Sequence, residues 1–230
     1  MQKNHSLTEG NILPCLLRFT LPVLCALFLQ ALYGGVDLLI VGQAIVNSFG
    51  VTASAGVGVA EKVSAFVMLV PSAYMQSMSA FVAQNLGAGN RTRSRRALKL
   101  SLITAFAVGV VMLCLQYFGG GVLSSLFTND TDVISASHSY LRAYAIDSLI
   151  SPMMFCFIGY FNGCEKSLFV MVQGLIGAIF VRMPIVYLVS RIPGATLFML
   201  GLGTVASSCV QMSLCVGYDL YLSRRARTRD

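Results

Sequence analysis

Asp37, Glu61, Lys62, Asp147 and Arg182 all stand inside long apolar runs, and Arg142 lies near the start of one. A charged side chain in such a run costs about 2.5–3.5 kcal/mol at the centre of a bilayer on insertion scales, so it faces a bundle interior or a water-filled cavity. Helical spacing adds neighbours to the carboxylates. Gln30, Tyr33 and Asp37 fall at i, i+3 and i+7 on one face. Glu61, Ser64 and Met68 share a second face, and Tyr140, Tyr144, Asp147 and Ser151 share a third. A stripe of carboxylate, hydroxyl and aromatic groups suits an organic cation through charge pairing and cation–π contact. It also suits Na⁺ or H⁺, because a carboxylate out of bulk water can load and release a coupling ion. Glu61, Asp37 and Asp147 are therefore the candidate cation ligands, with Tyr33, Tyr144 and Gln30 beside them. Lys62, Arg142 and Arg182 are the possible charge partners. Simple ion pairing accounts for any one of these residues as well as function does; the set, converging on one side of the membrane, points to a polar cavity.

The elements that must position them are membrane helices. The chain has 230 residues, 56% hydrophobic and only 11% charged, with a mean hydropathy of +0.76. A soluble domain needs roughly 25% charged residues to cover its surface. Six runs approach the roughly 20 apolar residues that span a bilayer: Leu21–Gln43, Val51–Val82, Ala97–Phe118, Tyr140–Phe161, Leu168–Ser190 and Ala195–Leu222. The fold class is thus all-α, a polytopic membrane protein of six transmembrane helices. Residues 1–20 form a polar N-terminus with an amphipathic lead-in segment, 21–222 the helical lobe and 223–230 a basic tail. Pro71, Pro152 and Pro184 interrupt three of the runs. Each is either a hinge or a point of static curvature.

The net charge of +7 sits in two clusters, Arg91 to Lys99 and Arg224 to Arg229, each flanking an apolar run. The positive-inside rule then puts both clusters, and both termini, in the cytoplasm of a bacterial inner (plasma) membrane. On that topology Asp37 lies late in an outward span, Glu61 and Asp147 early in inward ones and Arg182 late in an outward one, all in the outer half. No aromatic interleaving accompanies the basic residues, so they do not suggest nucleic acid. The seven cysteines are scattered without a CxxC pair, which argues against a metal site or a disulfide framework. No Walker motif, H-E-x-x-H pair or serine–histidine constellation appears. The sequence therefore points to no enzyme and needs no cofactor beyond Na⁺ or H⁺ as coupling ion. The eleven methionines, Met68, Met75 and Met78 among them, read as core or lipid-facing residues or as a plastic wall for varied ligands.

Three stretches carry a resemblance. "LTEGNI…RFTLP…LQALYGGVDLLIVGQ", residues 7–43, is similar to the first helix of multidrug and toxic compound extrusion (MATE) transporters. "NSFGVTASAGVGVAEKV", residues 47–63, with "AFVAQNLGAGN", residues 80–90, resembles the family's seventh helix joined to its eighth. "YLRAYAIDSLISPMMFCFIGYFNG", residues 140–163, resembles its tenth. The resemblance implies helices arranged in six-helix lobes, twelve in all, and export of organic cations or drugs in exchange for Na⁺ or H⁺. It implies a coupling role for Asp37, which matches a first-helix aspartate, and for Asp147, in the helix comparable to the tenth. The sequence departs from the family by running from a first-repeat helix into second-repeat helices just after Gln43. This reads as an internally deleted, six-helix form: a half-unit that would need a homodimer to close its cavity. A non-transporting remnant, and a lipid or oligosaccharide-carrier flippase of the same superfamily, are the alternatives.

Overall fold

The structure is a computed structural model that describes residues 49–192 and 194–227, with side chains to residue 225. The first predicted span, Leu21–Gln43, lies outside the described residues. The other five correspond to five helical segments long and apolar enough to cross a membrane. Helix α1 (Val51–Val67) continues almost directly into α2 (Leu69–Gly87). They are followed by α3 (Arg91–Ser125) and α4 (Thr131–Gly163). The next span consists of α5 (Ser167–Leu175), a π-helical segment (Ile176–Arg182) and α6 (Met183–Ser190), and the last is α7 (Leu197–Arg227).

The helices run past the apolar stretches. At about 1.5 Å per residue, the 35-residue α3 greatly exceeds a hydrocarbon core of ~30 Å. It begins at Arg91 rather than Ala97, because arginine and lysine are good helix formers once outside lipid. Helix α4 begins at Thr131 rather than Tyr140. Asp130 caps it, its Oδ1 accepting from the Asp132 and Val133 amides at 2.9 and 3.3 Å. Helix α7 continues to Arg227, so the basic tail expected from residue 223 starts inside the helix.

The prolines act locally. Pro71 has no N–H for the Val67 carbonyl, and the helix breaks one residue later, at Met68, between α1 and α2. Pro152 sits within an uninterrupted α4. Pro184 has no N–H for the Phe180 carbonyl, and the turn before it widens into the π segment, where the Met183 amide bonds the Ala178 carbonyl.

Helix α4 is the hub of the bundle, packed against α1, α2, α3 and α7. Close approaches fix the directions. Gly56 of α1 abuts Ala136 and Ser137. Gly159 and Gly163 of α4 abut Met75 and Met78, then Ser79 and Val82, of α2. Gly201 of α7 abuts Ala143. Chain numbers rise together along these contacts, so α1, α2 and α7 run parallel to α4. On α3 they fall, since Ser124 meets Ser137 while Gly109 meets Ser148 and Leu149, so α3 is antiparallel. The start of α3 and the end of α7 therefore share one end of the bundle, and with them the basic residues Arg91 to Lys99 and Arg224 and Arg225.

The "GYFNG" of residues 159–163 is a small-xxx-small motif. Lipid tails are as apolar as leucine, so membrane helices associate through close van der Waals contact, and glycines permit it. A Cβ on Gly163 would lie 2.7 Å from the Ser79 carbonyl oxygen. By contrast Ile103, Phe118, Val122 and Phe180 are exposed, as side chains facing lipid should be.

Candidate functional site

The apolar interior is divided in two along α4. One cluster gathers Tyr140, Leu141 and Tyr144 with Val57, Ala60 and Val63 of α1, Val186 of α6 and Leu200 of α7. The other gathers Cys156, Phe157, Tyr160 and Phe161 with Met78, Val82, Leu98 and Cys215. Between them α4 carries Asp147, Ser148, Ser151 and Pro152, all buried. Asp147 stands at the middle of the 33-residue helix, which starts at Thr131, well before the predicted run. The polar layer is thus at the waist of the bundle, flanked by hydrocarbon on both sides.

Asp147 is 1% exposed. Its Oδ2 accepts a hydrogen bond from Ser151 Oγ at 2.6 Å, one helical turn on. Its Oδ1 makes no hydrogen bond of good geometry among the described residues, although the Ser208 hydroxyl is close by. A buried carboxylate oxygen left without a donor is costly, and it has room in its valence for a cation or a proton. One turn before, the Tyr144 hydroxyl sits between Arg182 Nη2 at 3.5 Å and Thr204 Oγ1 at 3.4 Å. The Tyr144 ring lies 5.0 Å from that of Tyr140. Glu61 of α1 and Arg182 are both near enough to act electrostatically on the Tyr140 hydroxyl.

Of the residues singled out from sequence, Tyr144, Asp147 and Arg182 come together in or beside this layer, and half-buried Glu61 stands on α1 on the side of Tyr140. Lys62 and Arg142 do not join them: both are exposed, and the Arg142 guanidinium lies over the Tyr117 ring at 5.6 Å. Neither side chain reaches Asp147. On a helix, adjacent residues such as Glu61 and Lys62 point about 100° apart. Gln30, Tyr33 and Asp37 lie outside the described residues. Among the described residues, no group of three or more His, Cys, Asp or Glu side chains is placed to hold a metal ion.

Further polar residues enter the layer that were not singled out. Thr204, Ser207, Ser208 and Gln211 form one stripe of α7, with Gln211 Nε2 donating to Ser207 Oγ at 3.1 Å. Gln116 of α3, fully buried, donates from Nε2 to Ser148 Oγ. Ser148 Oγ in turn donates to the Tyr144 carbonyl at 3.1 Å. The i, i+3/i+4, i+7 spacing in "TVASSCVQ" was the available signal. It carries no charge, and only packing shows that it faces α4.

A family model, MatE, matches residues 22–188. The chain belongs to the MatE family. The matched stretch holds Asp37, Glu61, Asp147 and Arg182 alike. Among curated relatives, the MatE chain is 27% identical over 161 residues to a probable multidrug resistance protein NorM of Idiomarina loihiensis, covering 70% of this chain and 34% of that protein. It is 22% identical over 184 residues to a probable multidrug resistance protein YoeA of Bacillus subtilis, covering 78% of this chain and 39% of that one. Among solved structures, it superposes on a MOP superfamily transporter from Pyrococcus furiosus with a TM-score of 0.80 at 17% identity. That likeness covers 97% of this MatE chain and 48% of the other. The chain therefore spans well under half the length of these relatives and about half of the solved transporter, whose helical fold it shares.

Proposed function

We propose that the chain forms a lobe of a cation-coupled exporter of organic cations, with Glu61 and Asp147 as the cation ligands and Tyr144 as an aromatic neighbour. The observation that carries this reading is Asp147: a buried carboxylate at mid-helix with one oxygen held by Ser151 and the other unpartnered. A carboxylate fixed on one side and open on the other alternates between coupling ion and substrate cation at little cost in reorganisation. The relatives described as multidrug resistance proteins support a drug-like substrate. Asp37, on the first predicted span, is a further candidate coupling residue in this reading. The lobe faces a second lobe across the substrate cavity, and another copy of the chain is its simplest source. Both basic clusters lie at one end of the bundle, which supports a plasma-membrane topology with that end cytoplasmic.

Ethidium efflux from proteoliposomes under an imposed Na⁺ or H⁺ gradient tests the proposal. Efflux under one gradient, lost in Asp147→Asn, is the expected result. Absence of gradient-driven efflux with a folded, reconstituted protein would overturn it.

A further inference from the structure

The end of the bundle that carries the basic residues also carries a cavity. It has a volume of about 490 Å³ and opens between the start of α5 and the end of α7. Glu165, Lys166, Leu168, Phe169, Val172 and Tyr218 line it. At 1.5 Å per residue it extends about 10 Å along the chain axis from Glu165 to Val172, and it begins about 24 Å beyond Asp147 along α4. It is therefore separate from the polar layer.

The lining changes character with depth. The apolar span starts at Ser167, so Glu165 and Lys166 lie just outside it, both exposed, at the level of lipid headgroups. Below them Leu168 and Val172 are exposed, and Phe169 stacks on Tyr218 with ring centroids 4.0 Å apart. Phe161 stands edge-on to both rings, at 5.2 and 5.3 Å, and fixes the aromatic wall from behind.

Glu165 holds its place against a backbone preference. Its φ is 60°, in the left-handed region, and among the described residues no other non-glycine residue has a positive φ. Its amide bonds the Asn162 carbonyl at 3.1 Å, and the Lys166 amide bonds the Phe161 carbonyl at 2.8 Å. That pairing closes a helix, and glycine is the usual residue at the position Glu165 occupies. A side chain kept where glycine fits better points to a use for that side chain. Here a carboxylate and an ammonium stand side by side above an apolar groove. They match a molecule with both charges at one end and hydrocarbon at the other. A cationic drug would meet Lys166 and an anionic lipid would meet Glu165, whereas a zwitterion suits both.

We propose that this cavity binds a zwitterionic phospholipid with an ethanolamine headgroup. Lys166 takes the phosphate and Glu165 the primary ammonium. The first methylenes of an acyl chain lie against Leu168, Val172 and the wall of Phe169 and Tyr218. The ammonium donates hydrogen bonds to the carboxylate, which the quaternary ammonium of a choline headgroup cannot do. The site goes beyond the transport reading and does not rest on it.

Native mass spectrometry of the intact chain in detergent tests the assignment, with phosphatidylethanolamine, phosphatidylcholine and phosphatidylglycerol of equal chain length added in turn. Wild type should retain phosphatidylethanolamine about tenfold or more tightly than either of the others. Glu165→Gly, which the left-handed backbone accepts, should lose that preference, and so should Lys166→Gln, whereas Lys166→Arg should keep it. Glycerophosphoethanolamine, which has the headgroup without the acyl chains, should bind about tenfold or more weakly than the lipid. A wild type that prefers phosphatidylglycerol would reveal an anionic-lipid patch and overturn the proposal. Equal binding of all three lipids, as expected where another part of the chain or a second copy fills the cavity, would also overturn it. So would a preference that survives in both Glu165→Gly and Lys166→Gln. Equal binding of the chain-free headgroup would overturn the lipid as occupant.

Discussion

Ser151 Oγ and Asp147 Oδ2 lie 2.6 Å apart inside α4, and this one hydrogen bond orients the carboxyl at the waist of the bundle. A hydrogen bond to a charged acceptor contributes about 1.5–3 kcal/mol. Ser151→Ala should therefore weaken cation binding by about tenfold or more, corresponding to ~1.4 kcal/mol or above. Because Asp147 itself remains, gradient-driven efflux should persist at reduced rate. Titration of ethidium fluorescence on the reconstituted variant measures the first effect, and the proteoliposome assay the second.

The Tyr144 hydroxyl joins α4 to both Arg182 and Thr204, at 3.5 and 3.4 Å. Both distances are long, and hydrogen bonds between membrane helices average only about 0.6 kcal/mol. Tyr144→Phe should thus move the melting temperature little. Its effect on dye binding should exceed its effect on stability, because the hydroxyl stands in the polar layer beside Arg182 and Thr204. Parallel thermal-shift and dye-binding measurements separate the two.

Gly159 and Gly163 let α2 lie directly on α4. Gly163→Val should destabilise the bundle by about 1–3 kcal/mol through overpacking. Gly58, exposed with nothing near its missing side chain, provides the control: Gly58→Ala should leave the melting temperature unchanged or raise it slightly. Equal melting of the Gly163→Val and wild-type proteins in detergent would show that the seam does not hold the fold.

Cys164 follows α4 directly, beyond its last helical residue. Burial pushes its thiol up, only partly offset by Tyr160 and Lys166 beside it. Only the thiolate is nucleophilic, so a raised pKa means slow alkylation at neutral pH, and a rate that rises as pH rises. Peptide mapping after maleimide treatment of the native protein should find Cys164 slower than free cysteine at pH 7.5. Its rate should still be climbing above pH 9, where a thiol of ordinary pKa ~8.5 has levelled off. A rate matching free cysteine would show that the thiol is exposed.

Much of the architecture was legible before any coordinates. Runs such as Ala97–Phe118 and Tyr140–Phe161 are uniformly apolar, and a backbone in hydrocarbon must satisfy its own hydrogen bonds, so each must be helical. The charged residues within those runs marked the interior for the same energetic reason. Helix ends were less legible, because the arginines of residues 91–96 and the capped start at Asp130 propagate helix outside lipid. The π segment was not legible. Pro184 signals a disturbance of the ladder, but a kink, a break or a widened turn all relieve it equally.

The sequence by itself determined that the chain lives in lipid, that its helices alternate in direction and that Glu61, Asp147 and Arg182 cannot all face outward. Those conclusions need only the cost of moving charge and backbone out of water. Tertiary packing alone decided which cation stands beside Tyr144, one turn from Asp147. Lys62 and Arg142 are nearer to Glu61 and Asp147 in the chain, yet helical rotation turns both away. Arg182, far off in sequence, arrives because the turn around it widens and two glycines let α7 lie against it. Proximity in a helical bundle depends on rotation about each axis as well as on spacing. That rotation is set by the fit of one helix against the next.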